Sequence, residues 1–195
     1  MTFKLKDPGS AITHFIGMMM ALLATIPLLV KAAREPDWLH LIALSVFALS
    51  MFLLYTASTT YHSLDISAKV NRRLQKMDHM MIFVLIAGSY TPICLIALKG
   101  HTGKLLCILV WSVALVGIIV KACWITCPKW FSSVIYIAMG WVCVLVFGPL
   151  LKTLSAPAFL WQLAGGIIYT DMLTGLERCS AHAINVACAL TDHPS

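Results

Sequence analysis

Six uncharged, apolar stretches divide the chain: Ile12 to Val30, Trp38 to Tyr61, Met80 to Leu98, Leu105 to Val120, Trp130 to Leu151, and Leu154 to Thr170. A helix needs ~17 to 25 such residues to cross a hydrocarbon core, and several of the stretches reach that length. They are apolar all round rather than striped, which suits helices that face lipid and pack tightly on one another. The ~10-residue alternation of a membrane barrel strand is absent. The pattern therefore predicts an all-α, polytopic transmembrane helical bundle with six spans within residues 1–170. Its connections are short: "KAAREPD" (31–37) and "LKGHTGK" (98–104) carry turn chemistry at Pro36, Gly100 and Gly103. Trp38, Trp130, Trp161 and Tyr169 lie near predicted ends, where amphipathic rings anchor at the interface.

Residues 171–195, "DMLTGLERCSAHAINVACALTDHPS", break the pattern. Their one apolar run, Ala181 to Leu190, is too short to span and holds His182 and Asn185. They read as a divergent C-terminal tail.

Composition sharpens the class. Of 195 residues, 60% are hydrophobic and 11% charged, with a mean hydropathy of +0.88. A soluble domain carries about a quarter charged residues, so the bilayer is the solvent. The net charge of +6 does not point to nucleic acid, because the cations sit in short loops where they set topology. Lysines and arginines gather in cytoplasmic loops. Lys4, Lys6, Lys69, Arg72, Arg73, Lys76, Lys121, Lys129 and Arg178 fall on one side, and Lys31, Arg34, Lys99, Lys104 and Lys152 on the other. This split predicts a multi-pass protein of the cell membrane with a cytoplasmic N-terminus. The 62–79 loop joins it on that side, held to anionic head groups. Lys4 and Lys6 resemble the start of a signal peptide, but no clear small-x-small cleavage site follows, so the first span reads as retained. The cysteines give no framework: Cys94, Cys107 and Cys143 lie inside spans, and Cys123 and Cys127 have the wrong spacing for a CxxC pair.

Two features carry candidate chemistry. In "AGSYTP" (87–92), Pro92 frees a carbonyl one turn earlier, which Ser89 or Thr91 can re-satisfy. That kink is either a packing device or the shaper of a cavity above Asp78. The second feature is "YHSLDISAKVNRRLQKMDHMM" (61–81). Ionisable residues at membrane depth mark functional sites by default, and the short connection brings His62 beside Asp78 and His79. Ser58 and His62, four apart, share a helix face. Imidazole with carboxylate suits zinc, which takes three or four protein ligands. The alternative is an interfacial pair of His62 and Asp78 held by water. His14, at the same depth, is either a further partner of that pair or an interfacial residue, and the second reading is preferred. His40 and His101 lie toward the opposite face.

"DPGSAITHFIG", "TASTTYH", "MDHMMIFVLIAGSYTP" and "AGGIIYT", in this order, resemble the hemolysin III family, the bacterial branch of the progestin and adipoQ receptor proteins. The resemblance runs from about Lys6 to Thr170. It implies seven helices and an intracellular zinc site, in a wider superfamily that includes alkaline ceramidases. His62 would bind zinc, Ser58 would be its motif partner, and Asp78 would hold zinc or activate its water. The remaining ligands would come from a His-x-x-x-His motif in a seventh span. This chain lacks that motif, which is the expectation for a last segment truncated or read out of frame.

Three functions follow as expectations. The first is zinc-dependent hydrolysis of a membrane lipid amide or ester, with Asp78 as general base. The second is a non-catalytic role, cytolytic or tuning the state of the membrane. Transport ranks last, for want of an inverted repeat. Membrane lipids are the expected partners.

Overall fold

A computed structural model describes residues 6–98, 100–123 and 129–142, with Leu160, Ala164 and Ile167. The chain divides into two compact units, Met1–Ile125 and Thr126–Ser195. In the first, α1 (Pro8–Ala33), α2 (Trp38–Ser63), α3 (Ala68–Pro92) with a π-helical turn (Ile93–Ala97), and α4 (Gly100–Cys123) follow one another. All four are long and apolar enough to cross a membrane. Each packs on the next in chain order. In the second unit, α5 spans Lys129–Trp141, with Tyr136 and Met139 buried. Most of the sixth expected span, the rest of the fifth, and the boundary expected at residue 170 lie outside the described residues.

Local chemistry sets the starts of these helices. Pro8 opens α1 at a position whose N–H would have no partner inside the helix. The Asp37 carboxylate accepts from the Leu39 N–H at 3.0 Å, and the Ser67 hydroxyl accepts from the Val70 N–H at 3.3 Å. Both satisfy donors that a helix start leaves unpaired. Between α2 and α3 only residues 64–67 leave the helix. Asn71 ties that turn down, donating to Asp65 at 2.7 Å and accepting from the Ile66 N–H at 3.2 Å.

This corrects the expectation of a loop over 62–79. Residues 68–79 are helical because Ser67 caps them and because Lys, Arg, Leu, Gln and Met are good helix formers. Their charge prevents burial in lipid, not helix formation. With the π turn, the helix runs 30 residues. At 1.5 Å per residue that is about 45 Å, against about 30 Å of hydrocarbon. Its polar start projects out of the apolar layer.

Packing sorts by size rather than polarity. On α4, Gly103, Leu106, Val110, Ala114 and Gly117 recur every three or four residues and are buried. Leu105, Ile108, Leu115, Val116 and Ile119 point outward. The buried residues of α1 are Ala11, Ala21 and Ala32. In lipid, removing a leucine from its apolar surroundings gains nothing, so close backbone approach through small residues drives assembly.

Pro92 acts differently from the expectation. Ser89 donates to the Ile86 carbonyl (2.8 Å) and Thr91 to the Ala87 carbonyl (3.0 Å), so neither hydroxyl serves the Gly88 carbonyl that proline would have bonded. The helix instead widens after Pro92 into the π turn, closed by the Leu98 N–H on the Ile93 carbonyl at 2.9 Å. Gly100 then turns the chain with φ +82°. Gly103, expected in the turn, is already inside α4, pressed against the Cys94 carbonyl.

Candidate functional site

The antiparallel order brings the start of α1, the end of α2 and the start of α3 to one end of the first unit. The end of α4 joins them, where the Lys76 ammonium donates to the Ala122 carbonyl at 2.8 Å. His62, in the last turn of α2, is the centre of this mouth. Its backbone carbonyl accepts from the Asp7 N–H at 3.0 Å, and its Nδ1 lies 3.3 Å from the Asp7 carboxylate. One residue earlier, the Lys6 ammonium sits 3.7 Å above the Tyr61 ring, a cation–π contact. Two backbone neighbours of α1 thus grip two neighbours at the end of α2. The Asp7 carboxyl is held below its ordinary value, first by hydrogen bonding to Ser10 and then by the charge of His62.

His14 belongs to the cluster, the less favoured of its two readings. Its ring centroid is 5.5 Å from that of His62 and 6.1 Å, edge-on, from that of Tyr55. Its Nδ1 is shut off from solvent with no hydrogen-bond partner among the described residues, and so is the Thr59 hydroxyl, one turn before His62. Buried polar atoms without partners are uncommon enough to require an explanation such as a bound water or ion. Ser58 is buried, four residues before His62. Asp78, largely buried at 13% side-chain exposure, stands 3.8 Å from His79. His79 turns its Nδ1 to the Gln75 carbonyl at 2.7 Å. Asp78 is also within electrostatic range of His14.

His62 and Asp78 are thus linked through His14, in ring contact with the first and within electrostatic range of the second, with Ser58 one turn before His62 and His79 next to Asp78; the ion-pair partner of His62 among the described residues is Asp7. Nothing in the reading of 61–81 pointed there. A signal existed: Asp7 and His14 are seven residues apart, two turns along one helix face. His40 lies at the other end, near the Asp37 carbonyl.

Two imidazoles and a carboxylate are the right donors for a borderline ion such as zinc. The orphaned His14 nitrogen is the kind of atom an ion would satisfy. Among the described residues, however, no three His, Cys, Asp or Glu side chains converge to hold a metal. A complete site needs a donor beyond them; His182 and His193 lie outside the described residues.

The family model described as Haemolysin-III related matches residues 3–171. The chain belongs to that family. It is 38% identical over 168 residues to Hemolysin-3 of Bacillus cereus, covering 86% of this chain and 76% of that protein. It is 37% identical over 169 residues to the Hemolysin-3 homolog of Bacillus subtilis (strain 168), covering 86% and 79%. The matched region contains every residue of the mouth, from Lys6 and Asp7 to His79. The family is thus shown for a membrane protein whose ionisable groups gather where α1, α2 and α3 meet.

Proposed function

We propose that this haemolysin III protein is a zinc-dependent hydrolase of membrane lipid amides or esters, working at the α1–α3 mouth with His62 and Asp78 as metal ligands. The observation that carries the reading is the buried Nδ1 of His14, unpartnered among the described residues, beside His62 and within electrostatic range of Asp78. Bound zinc would supply a water acidified toward pKa ~7 and a polarised carbonyl. The chain's own groups have separate roles. Asp78, shielded from bulk water, accepts a proton at its carboxylate. Ser58 packs at the root of the His62 helix face and helps position the imidazole. The apolar outer faces of α1 and α4 leave lipid as the neighbouring substrate pool. The excess of cations at this end supports a cytoplasmic N-terminus and mouth.

Elemental mass spectrometry on the detergent-purified full chain tests the metal. About one zinc per chain, lost in His62→Ala, is the expected result; a wild-type protein without zinc overturns the reading. Lipid hydrolysis should disappear in Asp78→Asn.

The Asp7–His62 contact favours a second reading, because it satisfies an imidazole nitrogen without any metal. The mouth would then be a latch in a non-catalytic protein that perturbs membranes, in keeping with the name Hemolysin-3 carried by the relatives. Membrane perturbation that survives Asp78→Asn unchanged would decide for it.

A further inference from the structure

We infer that the projecting start of α3 is a binding site for the phosphoryl head group of an anionic phospholipid. Lys69, Arg72, Arg73 and Lys76 stand at positions i, i+3, i+4 and i+7, which places all four on one helix face. Together with the small side chain of Ala68 they line one cavity of about 390 Å³. Lys69, Arg72 and Arg73 are exposed. Among the described residues no carboxylate pairs with any of them.

Such a face repels itself. Like charges three and four apart on a helix destabilise it, and Lys69–Arg73, Arg72–Lys76, Lys69–Arg72 and Arg73–Lys76 are all pairs of this kind. A multivalent anion between them removes the penalty. Arginine's planar fork matches two phosphate oxygens at once, and the start of a helix adds partial positive charge. Lys76 is already fixed at the cavity's edge by its bond to the Ala122 carbonyl.

The position selects lipid as the source of the phosphate. The apolar part of the helix begins at Met80, so residues 69–76 occupy the next two turns, at head-group depth. Met77, 37% exposed, lies on the hydrocarbon side of the basic face and offers an acyl chain an apolar neighbour. The site does not depend on zinc or on hydrolysis at the mouth.

The test uses the full chain in neutral detergent, titrated separately with dioctanoyl phosphatidylglycerol, dioctanoyl phosphatidylcholine and inorganic phosphate, with bound ligand read by native mass spectrometry. Phosphatidylglycerol should bind at least about tenfold more tightly than phosphatidylcholine, and Arg72→Gln/Arg73→Gln should weaken it about thirtyfold. Raising the salt should weaken it too. Arg72→Lys/Arg73→Lys, which keeps the charge and loses the fork, should bind more weakly than the wild type and more tightly than the glutamine variant, and Lys31→Gln/Lys104→Gln, at the opposite end, should keep all of the binding. Equal binding of the two lipids overturns the proposal, as does undiminished binding by the glutamine double variant. Inorganic phosphate binding as tightly as phosphatidylglycerol would make this a free-phosphate site and overturn the lipid assignment. Salt-insensitive binding by the wild type would do the same even if the glutamine variant failed to fold.

Discussion

Gly88→Ala should loosen the α2–α3 contact that holds the mouth together. A Cβ on residue 88 would lie 2.6 Å from the Cβ of Ser50 and closer still to its hydroxyl. The hydroxyl can rotate away from its bond to the Phe47 carbonyl; the Ser50 Cβ cannot, because it is fixed to the helix backbone. Ordinary contact begins at 3.4 Å, so the two helices must part locally by most of an ångström. Overpacking of this kind costs about 1 to 3 kcal/mol. In water, alanine would recover about 1 kcal/mol through its greater helix propensity. In lipid that gain cancels, because a separated span must remain helical to satisfy its own backbone. The net loss is therefore about 2 kcal/mol, or about thirtyfold in the assembly equilibrium. Reversible unfolding in mixed micelles, followed by tryptophan fluorescence, measures it. Adding Ser50→Gly removes the atom that is struck and should restore most of the loss. The reasoning fails if Gly88→Ala is as stable as the wild type, or if the double variant is no better than the single.

Thr91→Val should cost about 1 kcal/mol in the same assay, because the Trp111 indole N–H loses its acceptor at 3.1 Å across α3 and α4. In a Trp111→Phe background the loss should shrink. Asp7 gives a pH signature: its folded pKa lies below the ordinary value near 3.8. Its stabilisation is therefore fully present above that value and is lost as pH falls through the lower, folded one. Thermal unfolding of the wild type should weaken over this acid window, and Asp7→Asn should lack that component.

The spans were legible because hydrocarbon thickness imposes one length and forbids charge within it. Pro8–Ala33 and Trp38–Ser63 accordingly enclose the predicted stretches. Charge misled the reading only at 68–79, where lysines and arginines mark the limit of burial but say nothing against helix. The short connection between α2 and α3 pointed to a common end for these spans, but the link between His62 and Asp78 runs through His14 of α1, in ring contact with the first and within electrostatic range of the second. Asp7 was not: its meeting with His62 depends on how α1 packs along α2, through contacts such as the Thr56 hydroxyl on the Met18 sulfur at 3.3 Å. Side-chain pairing between helices is a property of that packing, not of spacing along either one.

The contact that favours a metal-free latch is also the one that would tune a metal site. The Asp7 carboxylate approaches Nδ1 of His62, and a carboxylate acceptor there favours the tautomer with the proton on Nδ1. That leaves Nε2 with its lone pair as the ligating atom. Imidazoles that bind metals usually hold their second nitrogen against a carboxylate or carbonyl, and losing that partner weakens affinity by about 10- to 100-fold. Asp7→Asn therefore separates the two functions. If the mouth holds zinc, zinc affinity should fall within that range while Gly88-dependent packing is unchanged. If the mouth is only a latch, the wild type and Asp7→Asn should both stay at the zinc background of His62→Ala, and Asp7→Asn should lower stability above the ordinary carboxylate range and flatten its acid limb.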